Sequence, residues 1–270
     1  MTVKSNYYYS DAASKNYKNS QSILDELWFD RIVNRLTKVV GIGRVLDVGC
    51  GNGQLLKAFK KRGWECYGLD VSPWAKVYSK KYGYRLFTTE VEESNIPENT
   101  FDLAVSTSTL EHIYYPLQYI KSILRVLKPG GFLYVAGIPN YNCISVKLDL
   151  SKFHYNKPPS HVNYFTPRSF YNMLKRIGVG NKVKYLKIKT YGIPESFYLY
   201  DLIRKKWINK NKKPDQKNNS LQTKLVYESL QSNKISELKI FLSKLLVAGN
   251  YLIGNPFYYG DKIEAFVIKG

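Results

Sequence analysis

Cysteine is scarce in this chain: Cys50, Cys66 and Cys143 are widely spaced and odd in number among 270 residues. That excludes a disulfide framework and any cysteine-based metal spacing, and it suits a reducing compartment. Histidine is equally rare, so any chemistry that needs an imidazole must draw on His112, His154 or His161. Long apolar runs are missing too. No uninterrupted stretch approaches the roughly 20 residues of a membrane-spanning helix, and Met1-Thr-Val-Lys-Ser-Asn-Tyr7 lacks the charged start and apolar stretch of a signal peptide. A cytoplasmic location is expected. Acidic residues are few, 21 against 41 Lys and Arg, for a formal net charge of +20. Such a field gathers anionic partners: nucleic acid, phospholipid or nucleotide sugar. The lysines are scattered, as in Lys57-Ala-Phe-Lys-Lys-Arg62, Lys80-Lys81 and Lys205-Lys206, with no RNA-binding module beside them. Nucleic acid is therefore disfavoured, while peripheral contact with the inner membrane surface stays open. A solvated surface with no dedicated polyanion is the equal alternative.

What is present supports a packed core. A hydrophobic content of 44% over 270 residues suits one α/β domain with an appendage. Ile23, Leu24, Leu27, Trp28, Ile32 and Leu36 recur at helical spacing, predicting a helix on the sheet edge or over a ligand. Strand and helix patterns then alternate: strands at 45–48, 65–69, 84–88, 101–106 and 132–138, helices at 54–62, 73–82 and 117–127. Such alternation implies right-handed crossovers and a parallel sheet. Ser72 reads as an N-cap before Pro73, and Pro129-Gly130-Gly131 as a forced turn. A capped helix from Thr166 to Gly178 precedes a half-exposed strand from Val183 to Tyr191. Arg204 to Ser220 reads as a solvated loop. Leu238, Phe241, Leu242, Leu245 and Leu246 make an amphipathic helix for packing on the core, pairing with a second copy in a homodimer, or lying on an anionic membrane.

The most informative segment is Arg44-Val-Leu-Asp-Val-Gly-Cys-Gly-Asn-Gly-Gln-Leu-Leu56, an apolar strand running into three glycines and then a helix. Gly49, Gly51 and Gly53 permit a tight turn and close approach of a ligand, with helix-opening amides aimed at an anionic group, a carboxylate or a phosphate. Position 54 is Gln, so the pattern is GxGxG and not the GxGxxG of dinucleotide sites; pyrophosphate is disfavoured. Trp64-Glu-Cys-Tyr-Gly-Leu-Asp70 reads as a second strand ending in an acid, where an open α/β sheet places its ribose-binding carboxylate.

Together these residues resemble the class I S-adenosylmethionine-dependent methyltransferases. Val45 to Gly53 match the first motif of that family and Asp70 the end of its second strand. Phe101-Asp-Leu-Ala-Val105 followed by Leu110-Glu-His112 looks like its fourth strand and the helix after it, which Glu111-His112 would open, and Leu127-Lys-Pro-Gly-Gly-Phe-Leu-Tyr-Val135 looks like its turn and fifth strand. Pro159-Ser-His161 and Tyr164-Phe-Thr-Pro-Arg-Ser-Phe170 resemble a bacterial subgroup of small-molecule O-methyltransferases. The resemblance implies a Rossmann-like three-layer α/β sandwich, with a seven-stranded mostly parallel sheet and a helical insertion before the last strand. It divides the chain into an N-terminal helical cap (1–40), the core (41–192), a lysine-rich loop and helical insertion (193–260) and a final strand (261–270).

The implied cofactor is S-adenosylmethionine, leaving as S-adenosylhomocysteine. Carried over position by position, Asp47, Gly49, Cys50, Gly51 and Gly53 surround its methionine part, Asp70 takes the ribose, and Val71 packs on adenine. Glu90 and Val91 frame the adenine edge, and Ser106 and Thr107 lie near the sulfonium. Asp47 has a second reading, bracing the glycine turn without touching ligand. Methyl transfer from a sulfonium is an in-line displacement that needs alignment above all. A hydroxyl acceptor must also lose a proton, which suits a neutral histidine. His161 is the first choice as base and His112 the second; a structural role in holding the loop competes for His161. Glu111, His154, Tyr164, Tyr9 and Tyr17 are candidates to line the acceptor pocket. Some relatives in quinone biosynthesis use similar residues around a divalent metal, but one Glu-His pair is too little for a site, and no metal is expected. The acceptor is expected to be small or carrier-linked, a glycan, lipid or secondary metabolite methylated at a hydroxyl oxygen, and anionic if the net charge serves it. An RNA methyltransferase and a non-catalytic cofactor-binding scaffold are the alternatives. Ser106-Thr-Ser-Thr-Leu110 lacks the Asn/Asp-Pro-Pro-Tyr motif of base-amino methylation, and the intact glycines and Asp70 speak against the scaffold.

Overall fold

The computed structural model describes residues 23–143, 146–147, 155, 157–178, 183–191 and 260–270. The chain order is α1 (Ile23–Val40), β1 (Arg44–Val48), α2 (Gln54–Lys60), β2 (Glu65–Leu69), α3 (Ala75–Tyr82), β3 (Arg85–Phe87), β4 (Phe101–Thr107), a single 3-10 turn (Leu110–His112), α4 (Pro116–Val126), β5 (Leu127–Pro139), α5 (Pro167–Gly178), β6 (Val183–Tyr191) and β7 (Lys262–Lys269). The seven strands form one sheet in the order β3-β2-β1-β4-β5-β7-β6. Pairing is parallel from β3 through β5, and β7 runs antiparallel to both β5 and β6. This is the expected Rossmann-like, mostly parallel α/β sheet. Strands β1 and β4 are buried on both faces, which is why Val45, Leu46 and Val48, or Leu103, Ala104 and Val105, read as continuous apolar runs.

Helices cover both faces. On one, α4 and α5 contribute Ile120, Ile123, Phe170, Met173 and Ile177 to a core with Leu46, Leu133 and Val267. On the other, α1 and α2 pack Ile32, Val33, Leu36, Leu56 and Phe59 against Val45, Leu103 and Tyr134. The helix expected from Ile23 to Leu36 therefore lies on the face of the sheet. It is tied there by charge: Arg35 reaches Glu264 at 2.8 and 3.1 Å, and Tyr134 donates its hydroxyl to the same carboxylate at 2.7 Å. The Glu264 side chain is fully buried.

Three local expectations are corrected. Ser72 does not cap α3: Trp74 is the N-cap, because the Ser72 amide and hydroxyl both donate to the Asp70 carboxylate. Glu111-His112 does not open a helix, since it lies in an isolated 3-10 turn and α4 begins at Pro116. Pro129-Gly130-Gly131 falls inside β5, where the register with β4 jumps from Phe101↔Leu127 to Leu103↔Phe132. Proline withholds a ladder donor and Gly130 adopts φ 77°, so the extra residues are accommodated as a bulge. The insertion of residues 193–260, including the predicted loop and amphipathic helix, lies almost wholly outside the described residues, as do Tyr9, Tyr17 and His154.

Because Glu264 is buried with its charge met by Arg35, the Arg35→Ala variant should lose about 3 kcal/mol of unfolding free energy in urea titrations. Pairing Arg35→Met with Glu264→Leu should restore most of that loss, since the uncompensated charge is then gone.

Candidate active site

The strand order reverses direction between β1 and β4, and in such sheets ligands bind beyond the carboxyl ends of the strands at that point. The β1–α2 turn occupies this place. Gly49 and Gly53 have φ of 82° and 67°, a region that L side chains avoid. Space forbids a side chain at either position as well: a Cβ on Gly49 would collide with Thr109, and one on Gly53 would lie 2.6 Å from the Tyr84 hydroxyl. The turn is closed by Gly49 N–H to the Leu69 carbonyl (2.7 Å) and Gly53 N–H to the Cys50 carbonyl (2.8 Å). It is tied to the end of β2 by Gly51 N–H donating to Asp70 at 2.7 Å. Cys50 is buried against Tyr84 and its thiol is held well above its ordinary value by burial, so it packs and does not react.

Beneath this turn lies an unbalanced acid. Asp47 is 2% exposed, and its Oδ1 is buried with no hydrogen-bond partner among the described residues. Burial, with the nearby Asp70 charge adding to it, pushes its carboxyl up to about 8. An unpaired buried carboxyl is costly to ionise, and an incoming ammonium would relieve that cost.

The contact of Gly49 with Thr109 leads directly to the second cluster. Glu111 and His112 follow in the 3-10 turn, and residues 157–163 are clamped onto them. Val162 and Asn163 donate their amides to the Glu111 carbonyl at 2.9 and 3.1 Å, and the Asn163 side chain donates to the Ile113 carbonyl. His112 Nδ1 lies 2.7 Å from the Ser160 carbonyl. A carbonyl only accepts, so Nδ1 carries the proton and Nε2 is the basic nitrogen. The His161 ring meets the His112 ring edge-on, centroids 4.8 Å apart. Burial lowers both imidazoles, His112 to about 4, and raises the Glu111 carboxyl to about 7. Both histidines are therefore neutral at pH 7 and able to accept a proton or a cation. Glu111 Oε2 and His161 Nδ1 are buried without hydrogen-bond partners among the described residues.

The glycines, Asp47, Asp70 and Cys50 thus converge on one turn, and Glu111, His112 and His161 on a neighbouring cluster. Val71 is partly exposed beyond Asp70, and Val91 is buried in the core beside the partly exposed Glu90. Thr107 accepts the Thr109 hydroxyl at its carbonyl. The Ser106 hydroxyl at the end of β4 is fully buried and bonded to Tyr119 at 2.9 Å. Tyr164 is 42% exposed and packs edge-on against Tyr141. Sequence reasoning missed Thr109, Tyr84 and Ser160, which abut the glycines or orient His112. None carries a spacing signal, because each acts through a contact distant in sequence.

A parallel sheet closed by an antiparallel strand, a three-glycine turn and a terminal acid on the second strand define an S-adenosylmethionine-dependent methyltransferase domain of class I. The sequence profile of a family described as a methyltransferase domain matches residues 20–181, and the chain belongs to that family. Similar proteins include the ubiquinone biosynthesis O-methyltransferase of Pseudomonas fluorescens (strain SBW25), 34% identical over 119 residues, covering 41% of this chain and 49% of the relative. The enzyme of the same name from Aliivibrio fischeri (strain ES114) is 34% identical over 98 residues, 34% of this chain and 42% of the relative. The chain thus matches about half the length of these curated relatives or less. Among solved structures, a SAM-dependent methyltransferase from Archaeoglobus fulgidus superposes with a TM-score of 0.57 at 16% identity, over 97% of this chain and 100% of that one. The plantazolicin methyltransferase BpumL in complex with SAH gives 0.57 at 15% identity, over 98% and 93%. At these identities the two structures speak for the fold alone.

The cradle fits S-adenosylmethionine on its own chemistry. The donor's α-ammonium would suit a buried carboxyl that lacks a partner among the described residues, and the glycines leave room where any side chain would collide. Asp47→Asn should consequently leave the free protein as stable as the parent, or more so, while weakening donor binding by about 1.5 to 3 kcal/mol in calorimetry. In the parent, the carboxyl must give up its proton to meet the ammonium. Affinity should therefore rise as pH increases from 6 toward 8, by at most about tenfold per pH unit, and the Asn variant should show no such rise.

Proposed function

We propose that this domain transfers the methyl group of S-adenosylmethionine to a hydroxyl oxygen of a small or carrier-linked acceptor. When bound, the donor supplies an electrophilic methyl on a sulfonium. The protein contributes placement: the glycine turn and Asp47 hold the amino-acid end, and Asp70 holds the ribose after exchanging its bonds to Gly51 and Ser72. The acceptor enters beside Glu111, His112 and His161. The observation that carries the oxygen reading is the tautomer of His112. Its Nδ1–H is fixed on the Ser160 carbonyl, so a lone pair is presented by a neutral imidazole beside the donor turn. The names of the curated relatives point the same way. His161 stands against that ring and takes either the proton or a hydrogen bond from the acceptor.

The net charge of +20 favours an anionic acceptor, such as a glycan or lipid bearing phosphate or carboxylate groups. Among the described residues no helix is long and apolar enough to cross a membrane. Activity in the cytoplasm, with peripheral contact to the membrane, belongs to this reading.

The test is transfer of label from methyl-labelled S-adenosylmethionine to a panel of phenols, hydroxylated lipids and sugars, set against amine and RNA acceptors. Label in an ether is expected; label only in amines or RNA would remove the reading. With the accepted substrate, His112→Ala and His161→Ala should each slow turnover by about 10² or more. Donor affinity should hardly change. A parallel loss of donor binding would instead mark these histidines as parts of the scaffold.

A further inference from the structure

We propose that Asp261, Lys262 and Tyr155 form an acceptor subsite for a sugar ring, binding its adjacent hydroxyls between the Asp261 carboxyl and the Lys262 ammonium. Topology brings these residues to the crevice. Because β7 runs antiparallel to β5, its first residues lie at the carboxyl edge of the parallel strands, where Lys262 pairs with Pro139 at the end of β5. The junction is fixed by backbone bonds. The buried Asn140 donates its amide to the Asp261 carbonyl at 2.8 Å and its side-chain nitrogen to the Gly260 carbonyl at 2.6 Å. Gly260 is pressed so close to Tyr191 that a Cβ there would lie 2.6 Å from the Tyr191 backbone. Asp261 is thus held in place before a ligand arrives, which lowers the ordering cost of binding.

Hydrogen-bond chemistry decides what the subsite takes. Asp261 is 4% exposed, and its Oδ1 is buried with no hydrogen-bond partner among the described residues. Native proteins leave few such atoms unmet. Lys262 stands beside it, its Nζ 5.4 Å from the centre of the Tyr155 ring, whose hydroxyl it hydrogen-bonds. Lys262 also acts on Glu111, whose Oε2 likewise lacks a partner among the described residues, so it links the subsite to the site of transfer. An anionic ligand group here would face two carboxyls, and an ammonium would face Lys262. A hydroxyl both donates and accepts: it gives its hydrogen to Asp261 and takes one from Lys262, whose ammonium has three. Burial raises both carboxyls, and a hydroxyl serves either of their protonation states.

The ring that carries these hydroxyls is a sugar and not a phenol. A catechol offers two hydroxyls on a flat apolar ring and would leave the remaining polar groups buried and unmet, whereas a pyranose bears a hydroxyl on most of its carbons. It also has an apolar C–H face. Tyr141 and Tyr164 meet edge-on at 4.6 Å beside this junction, on segments joined by the Tyr141 amide donating to the Phe165 carbonyl, and Tyr164 is 42% exposed. That open aromatic surface suits the C–H face. A phosphate or carboxylate elsewhere on the acceptor belongs on the open side, where Lys157 is exposed. The use of the subsite in catalysis rests on the oxygen-methylation reading; its binding of sugar does not. In transfer, a further hydroxyl of the held ring bonds the methyl through its oxygen, its proton passes to His112 Nε2, and the methyl–sulfur electron pair stays on sulfur.

The experiment takes the full chain with a panel of methyl hexopyranosides, their monodeoxy analogues and, as the contrast, catechol. Binding to the S-adenosylhomocysteine-loaded protein is read by saturation-transfer NMR, and transfer by label from S-adenosylmethionine. At least one hexopyranoside should bind and be methylated in preference to catechol. Asp261→Asn and Lys262→Met should each raise its KM at least about tenfold, the loss falling mainly on KM and not on kcat, with circular dichroism and S-adenosylhomocysteine affinity unchanged. The deoxy analogue lacking the hydroxyl held by Asp261 should bind the parent about as weakly as the full sugar binds Asp261→Asn, and its measurement needs no variant to fold. Absence of binding by every hexopyranoside at millimolar concentration, or a sugar KM unmoved in both variants, would overturn the inference; ether label in catechol alone would do so while leaving oxygen methylation standing. Sugar binding that both variants weaken, without label in any hydroxyl, would uphold the subsite and sink its assigned reaction.

Discussion

Gly49 lies against Thr109 with no room between them for a methyl group, and the arrangement of the crevice depends on that contact. It welds the turn after β1 to the segment after β4, the two sides of the point where the strand order reverses. The turn carries Asp47 and the glycines, and the segment carries Glu111 and His112. Their separation is set by the Thr109 side chain packed directly on the glycine backbone. For an in-line displacement, whose barrier is lowered chiefly by alignment, a fixed distance between the two halves matters more than a strong acid or base.

The two halves share one electrostatic theme: titratable groups deprived of water. Asp47 is held protonated to an unusually high pH, while His112 and His161 are held neutral. Each suits a species of the opposite kind, an ammonium for the acid and a proton for the imidazoles. The cost of these buried groups is carried by a core in which both faces of the sheet are covered. It is carried too by the Arg35–Glu264–Tyr134 network, which pins α1 across the strands where the chain returns.

Much of the fold was legible because it is written locally. Val45 to Val48 can only be a strand buried on both faces, the glycines that follow can only turn, and Val183 to Tyr191 alternates as a half-exposed strand must. Local signals failed where a nearby polar group competed. Ser72 looks like a cap, yet its hydroxyl is drawn to Asp70. The site was legible only in halves. Glu111-His112 and His161 each stand out as rare residue types, but their convergence is made by backbone hydrogen bonds between segments far apart in sequence. No periodicity or spacing encodes it. Thr109, Tyr84 and Ser160 escaped for the same reason.

The last strand has a further consequence for how the sheet is assembled. Among the described residues β6 pairs only with β7, yet β7 is drawn from residues 262–269, long after β6 has been synthesised. During translation β6 is thus an open edge waiting for its mate, a hazard for wrong pairing. Lys184, Lys187 and Lys189, spaced along its nine residues, give that waiting strand a repulsive charge toward copies of itself, so the lysines that colour the whole chain also act here as chaperones of its own making.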